Sequence, residues 1–121
     1  MPVVSTDTYA AIIDDAKAKG YALPAINVTS SQTVNAVLQG LTEAESDGIL
    51  QVSTGGADYW SGHTVKARVS GSIAFAHFVH EVAKNYPINV AVHTDHCPKD
   101  ALDSFVRPLL TASEDAVKAG G

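Results

Sequence analysis

Apolar positions along this chain follow two rhythms in alternation. Tyr9, Ile12, Ile13 and Ala16 recur at helical spacing and predict a first helix. Ser5 or Thr6 precedes it as an N-cap, Asp7 lies near its positive end, and Gly20 suits its stop. Residues 21–28, "YALPAINV", form a short, mostly apolar run that reads as a buried strand. Pro24 cannot donate to a ladder, so it belongs at the strand's beginning. Ser30 or Ser31 then caps a second helix, whose stripe is Val34, Val37, Leu38 and Leu41. Asp47-Gly48 turns the chain into "ILQVS", residues 49–53, a second strand. Residues 54–63 contain three glycines and read as a loop. Helical spacing resumes over 66–84 through Val69, Ile73, Ala76, Val79 and Ala83, until Asn85-Tyr86-Pro87 ends it. "INVAV", residues 88–92, is a third strand. Leu102, Phe105, Val106, Leu109 and Leu110 give a last helical stripe, which Pro108 should kink or split.

The predicted order is one helix followed by three strand–helix units. Each strand is nearly all apolar, as expected when both faces are covered. Successive strands lie roughly 25 to 40 residues apart, the length of a right-handed crossover between parallel strands. The fold class is therefore α/β with a parallel sheet. Three such strands would leave open edges and an incomplete helix layer. A (β/α)8 barrel runs to about 250 residues, so the chain reads as the first part of something larger. A complete small doubly wound domain is the alternative. No linker or low-complexity tract divides residues 1–121, which are expected to belong to one domain.

Composition narrows the function. The chain has 121 residues, 45% hydrophobic and 17% charged, an ordinary globular balance. Its net charge of −5 and lack of a basic run disfavour a nucleic-acid partner. One cysteine, Cys97, cannot form an internal disulfide, which points to a reducing compartment. No basic segment followed by a long apolar run opens the chain, and no apolar run approaches the ~20 residues of a membrane span. A soluble cytoplasmic protein without a membrane partner is expected.

In barrels and open α/β folds, ligands sit at the carboxyl ends of the strands. Here those ends carry Asn27 with Thr29, Ser53 with Thr54, and Asp95 with His96. Imidazole is a common metal ligand, and a neighbouring carboxylate can ligate, orient or exchange a proton. From the residues alone, structural hydrogen bonding, metal binding and acid–base work all stay open for Asp95 and His96. His93 reads as filling the strand's last inward position. His63 reads as solvated, and His77 and His80, three apart on a helix, as surface or interface residues. Cys97 reads as a small buried thiol. "STGGA", residues 53–57, has the backbone freedom to approach a phosphate, but glycine pairs more often simply make turns.

"PAINVTSSQTVNAVLQG", "DGILQVSTGGADY" and "INVAVHTDHCPKDALDSFVRPLL" together resemble class II fructose-bisphosphate aldolase, most closely its actinobacterial type. The resemblance spans the whole chain in order, and "HTDHCPKD" is its most specific piece. It implies the N-terminal part of a (β/α)8 barrel, with an extra helix and about three βα units. It implies a zinc ion (Zn2+) that polarises a substrate carbonyl, without a Schiff base. The implied reaction is reversible cleavage of fructose 1,6-bisphosphate into dihydroxyacetone phosphate and glyceraldehyde 3-phosphate, a step of glycolysis. By the same resemblance His96 is a zinc ligand and Asp95 the acid/base for the C4 hydroxyl proton. Asn27 and Ser53 are substrate contacts, and the full-length enzyme is a homo-oligomer. Val28 stands where family members often have cysteine.

A catalytic zinc site needs three or four donors, and the resemblance puts the remaining ligands beyond Gly121. The chain alone is therefore expected to be inactive. A tagatose 1,6-bisphosphate aldolase is the rival within the class. A non-catalytic half-barrel serving as an interaction module is the rival outside it, and a thiol role for Cys97 is a further one.

Overall fold

The computed structural model describes residues 3–120. Residues 1, 2 and 121 lie outside the described part, and with them the expectation attached to Gly121. The predicted order of elements is observed, with one helix added. Helix α1, Thr6–Lys19, is capped by Ser5, whose side chain accepts from the Thr8 N–H. It ends at Gly20, whose φ of 73° is the left-handed conformation that a glycine adopts without strain. Strand β1, Ala25–Asn27, follows Pro24 directly. The proline has no N–H to give, but its carbonyl accepts from the Ile49 N–H at 2.8 Å. Helix α2, Ser31–Glu43, starts from a capping box in which Ser30 and Thr33 satisfy each other's backbone N–H.

Strand β2 is Gly48–Val52 and strand β3 is Val90–Thr94. The sheet is parallel throughout, in the order β1-β2-β3. Residues 88 and 89 precede the ladder rather than joining it, so β3 runs two residues further than expected. Between β2 and β3 the segment expected as a loop contains helix α3, Thr54–Ser61. Gly55 and Gly56 are poor helix formers. Ser53 compensates by capping the helix, and the Arg68–Asp58 ion pair at 3.0 Å ties α3 to the start of the next helix. That helix, α4, is Arg68–Val82, and a single 3-10 turn follows it.

After β3 a 3-10 turn and a π turn, Leu102–Val106, lead into helix α5, Arg107–Lys118. Pro108 does divide this stripe. It falls in the first turn of α5, where its missing N–H costs least, and the wider π turn takes up the register before it.

Val34 and Leu38 of α2, Phe75 and Val79 of α4, and Phe105 pack on Leu50, Val52 and Val90 of the sheet. All of these are fully buried. The expectation of a buried first strand is corrected: Ala25, Ile26 and Asn27 are exposed, with Ile26 41% accessible. The strand lies at the edge of the sheet, and no layer of the described residues covers it. On the opposite edge, Val3 forms an isolated parallel bridge to Val90.

Candidate active site at the strand ends

Parallel pairing converts three distant segments into one polar row. Asn27, Gln51 and His93 are register partners across the sheet. Side chains alternate along a strand, so Ser53 and Asp95 continue the same face two residues on. The Asp95 N–H donates to the Val52 carbonyl at 2.8 Å, which holds Asp95 beside the end of β2.

Two side-chain hydrogen bonds cross the strand ends. Gln51 Nε2 donates to Asn27 Oδ1 at 2.9 Å, and Asn27 Nδ2 donates to Asp95 Oδ2 at 3.0 Å. The Asp95 carboxyl titrates below the usual carboxylate range. The Asn27 hydrogen bond is the main cause, the His96 backbone N–H and charge add to it, and burial opposes them. Asp95 is therefore ionised at neutral pH. Its side chain is 26% accessible, so solvent or a ligand can reach it.

The His96 side chain is fully exposed, and its Nε2 lies 3.8 Å from Asp95 Oδ1, beyond hydrogen-bond reach. Ser53 caps α3 by accepting from the Gly56 N–H at 3.0 Å, which leaves its hydroxyl hydrogen free to donate elsewhere. The structure thus brings Asn27 and Asp95 into contact and places Ser53 on the same face. His96 sits at the rim with an open imidazole. Among the described residues no group of three His, Cys, Asp or Glu side chains could hold a metal ion. These donors do not make up a zinc site, which needs three or four.

The expectation of a buried thiol is corrected, since Cys97 is only half-buried. His93 packs edge-on against Tyr9 at 5.2 Å between ring centres. His63, His77 and His80 are exposed, and Cys97 is half-buried with its Sγ 3.5 Å from the Pro98 carbonyl. A mostly apolar cavity of about 430 Å³ lies between α4, α5 and the ends of β2 and β3; His93 lines it, but none of Asn27, Ser53, Asp95 and His96 does.

Gln51 is the participant that sequence reading missed. Its place two residues from both Ile49 and Ser53 was visible, but its partner Asn27 is 24 positions away and appears only with the register.

A family model described as fructose-bisphosphate aldolase class-II matches residues 7–119. A Streptomyces galbus protein named fructose-bisphosphate aldolase is 56% identical over 120 residues, covering 99% of this chain and 35% of its own length. The Mycobacterium tuberculosis H37Rv protein of that name is 55% identical over 121 residues, with coverages of 100% and 35%. The crystal structure of fructose-bisphosphate aldolase from Campylobacter jejuni matches with a TM-score of 0.92 and 38% identity, over 98% of this chain and 34% of that one. The chain spans about a third of the length of these relatives. Its parallel α/β fold is that of the corresponding part of a (β/α)8 barrel.

Proposed function

The chain belongs to the class II fructose-bisphosphate aldolase family, and from that premise we propose that it supplies one side of an active site for reversible cleavage of fructose 1,6-bisphosphate. The products are dihydroxyacetone phosphate and glyceraldehyde 3-phosphate. One observation carries the reading: an ionised carboxylate, Asp95, is held by Asn27 across the strand ends with an exposed imidazole, His96, as its neighbour.

In the cleavage direction a base must take the proton from the C4 hydroxyl as the C3–C4 bond breaks. Asp95 is ionised and accessible, so it accepts that proton at a carboxylate oxygen. In the condensation direction the protonated Asp95 returns it. Asn27 holds the carboxylate in place and keeps one N–H for the substrate. Ser53 donates its free hydroxyl hydrogen to a substrate oxygen at the start of α3. His96 would be one ligand of a zinc ion, whose chemistry when bound would be to polarise the triose carbonyl. The other metal donors come from outside the described residues, so the 121-residue chain alone is expected to show no turnover. A cytoplasmic, glycolytic, homo-oligomeric enzyme acting on a phosphorylated sugar completes the proposal.

The test joins this chain to the part of the Corynebacterium glutamicum relative that lies beyond the matched segment, since that relative is 56% identical over the region replaced. The fusion is offered fructose and tagatose 1,6-bisphosphates with zinc. Cleavage of the fructose ester is expected, with kcat falling about 100-fold or more in Asp95→Ala. His96→Ala should lose metal as measured by atomic absorption. Unchanged turnover in Asp95→Ala would sink the role given to that carboxylate, and preference for the tagatose ester would move the substrate.

A further inference from the structure

Gln51 lies in the polar row without an assigned role. Its amide nitrogen donates to Asn27 Oδ1, and Asn27 in turn donates to Asp95. A primary amide has one donor end and one acceptor end, exchanged by a half-turn about its last torsion. Asn27 faces Asp95 with its nitrogen end, Nδ2 donating to Oδ2 at 3.0 Å. Gln51 occupies the acceptor end of the same amide and so opposes the half-turn. Asn27 lies on the edge strand and is itself exposed. Gln51 itself is half-buried in the central strand, between the fully buried Leu50 and Val52. The rigid strand thereby orients a group on the exposed one.

We propose that Gln51 is a positioning residue, which locks the Asn27 carboxamide with its nitrogen toward Asp95 and so fixes the partner of the proton-transferring carboxylate. The assignment rests on the aldolase reading above for its chemical purpose, but the lock itself is independent of any turnover. Gln51 acts through Asn27 and need not touch substrate.

Two variants separate this role from simple packing. Gln51→Met keeps the length of the side chain and removes the donor. Gln51→Glu keeps the shape and replaces the donor with an acceptor, which competes with Asp95 for the Asn27 nitrogen. In the isotope-labelled 121-residue chain, cross-relaxation peaks from the Asn27 amide protons to Asp95 report the orientation. They are expected in the parent chain, weakened severalfold in Gln51→Met, and replaced in Gln51→Glu by peaks to position 51. The thermal midpoint checks that each variant is folded, and if Gln51→Glu fails to fold, Gln51→Met carries the test. Peaks to Asp95 that persist unchanged overturn the proposal.

In the aldolase fusion, Gln51→Met is expected to lower kcat about tenfold and to raise KM by less, because Asn27 orients the proton acceptor and also gives an N–H to the sugar. Unchanged kcat beside a strong Asp95→Ala effect overturns the proposal as well. If Asp95→Ala has no effect, the proposed function fails, and the amide peaks still decide the lock.

Discussion

The two faces of the sheet are stabilised by different means. On the helix-covered face, Leu50, Val52 and Val90 are sealed by α2 and α4, and no single contact is special. On the other face, Ile49 and Ala91 are buried toward the strand beginnings, and polarity takes over toward the ends. There Asn27, Gln51 and Asp95 meet through two named hydrogen bonds, partly open to water. The first face draws its stability from buried area, which is additive and tolerant of detail. The second draws its order from donor and acceptor placement, where one inverted amide changes the outcome. Stability and chemistry are therefore divided between faces of one three-stranded sheet.

The strongest way to sharpen that contrast is to remove a large side chain from the sealed face. Phe75→Ala should cost about 3–5 kcal/mol in urea unfolding, from lost burial plus the cavity left behind. A loss under about 1 kcal/mol would mean that α4 does not seal the sheet as described. Gly71→Ala is next. Its new methyl would meet the Ala57 carbonyl oxygen, so α3 and α4 must separate. A destabilisation of about 1–3 kcal/mol is expected, with the Trp60 fluorescence shifted because Trp60 packs on Phe75 at 5.6 Å. A smaller effect of opposite sign belongs to Ser72, whose buried Oγ has no partner among the described residues. Ser72→Ala should stabilise by about 1 kcal/mol. A destabilisation would show that its hydroxyl is satisfied in solution.

The covered face was the legible one. Period and caps are local signals, so Ser5 or Thr6, Gly20, and Ser30 or Ser31 announced their helices directly. The parallel pairing followed from the spacing of apolar runs. What escaped depends on tertiary contact. Gly55 and Gly56 argued for a loop, yet the Ser53 cap and the close approach of Gly71 hold them in a helix. "YALPAINV" looked buried because apolar composition reports the whole fold's intent, whereas exposure reports which neighbours are present. At the strand ends the residue types and their convergence were readable. The Gln51–Asn27–Asp95 direction was not, because hydrogen-bond polarity is decided by register and by which partner can only accept.

The smallest effect lies on the polar face and concerns pH. The Asp95 carboxyl is held below its ordinary range, chiefly by the Asn27 N–H. A carboxyl depressed in the folded state binds its proton less readily there than in the unfolded chain. Its stabilising contribution is therefore present above the unfolded value, near 3.9, and is lost as pH falls through the lower folded value. Asp95→Asn cannot titrate, so its stability should fall less between pH 5 and pH 2 than that of the parent chain. Because Asp95 is accessible to solvent, the gap between the two curves should be small beside the Phe75 and Gly71 effects. Asn27→Leu should raise the Asp95 titration midpoint, followed through its carboxyl carbon in metal-free buffer. A midpoint that stays put would assign the depression to the His96 backbone instead. The two faces would then be less distinct, since a main-chain contact rather than a placed side chain would govern the carboxylate.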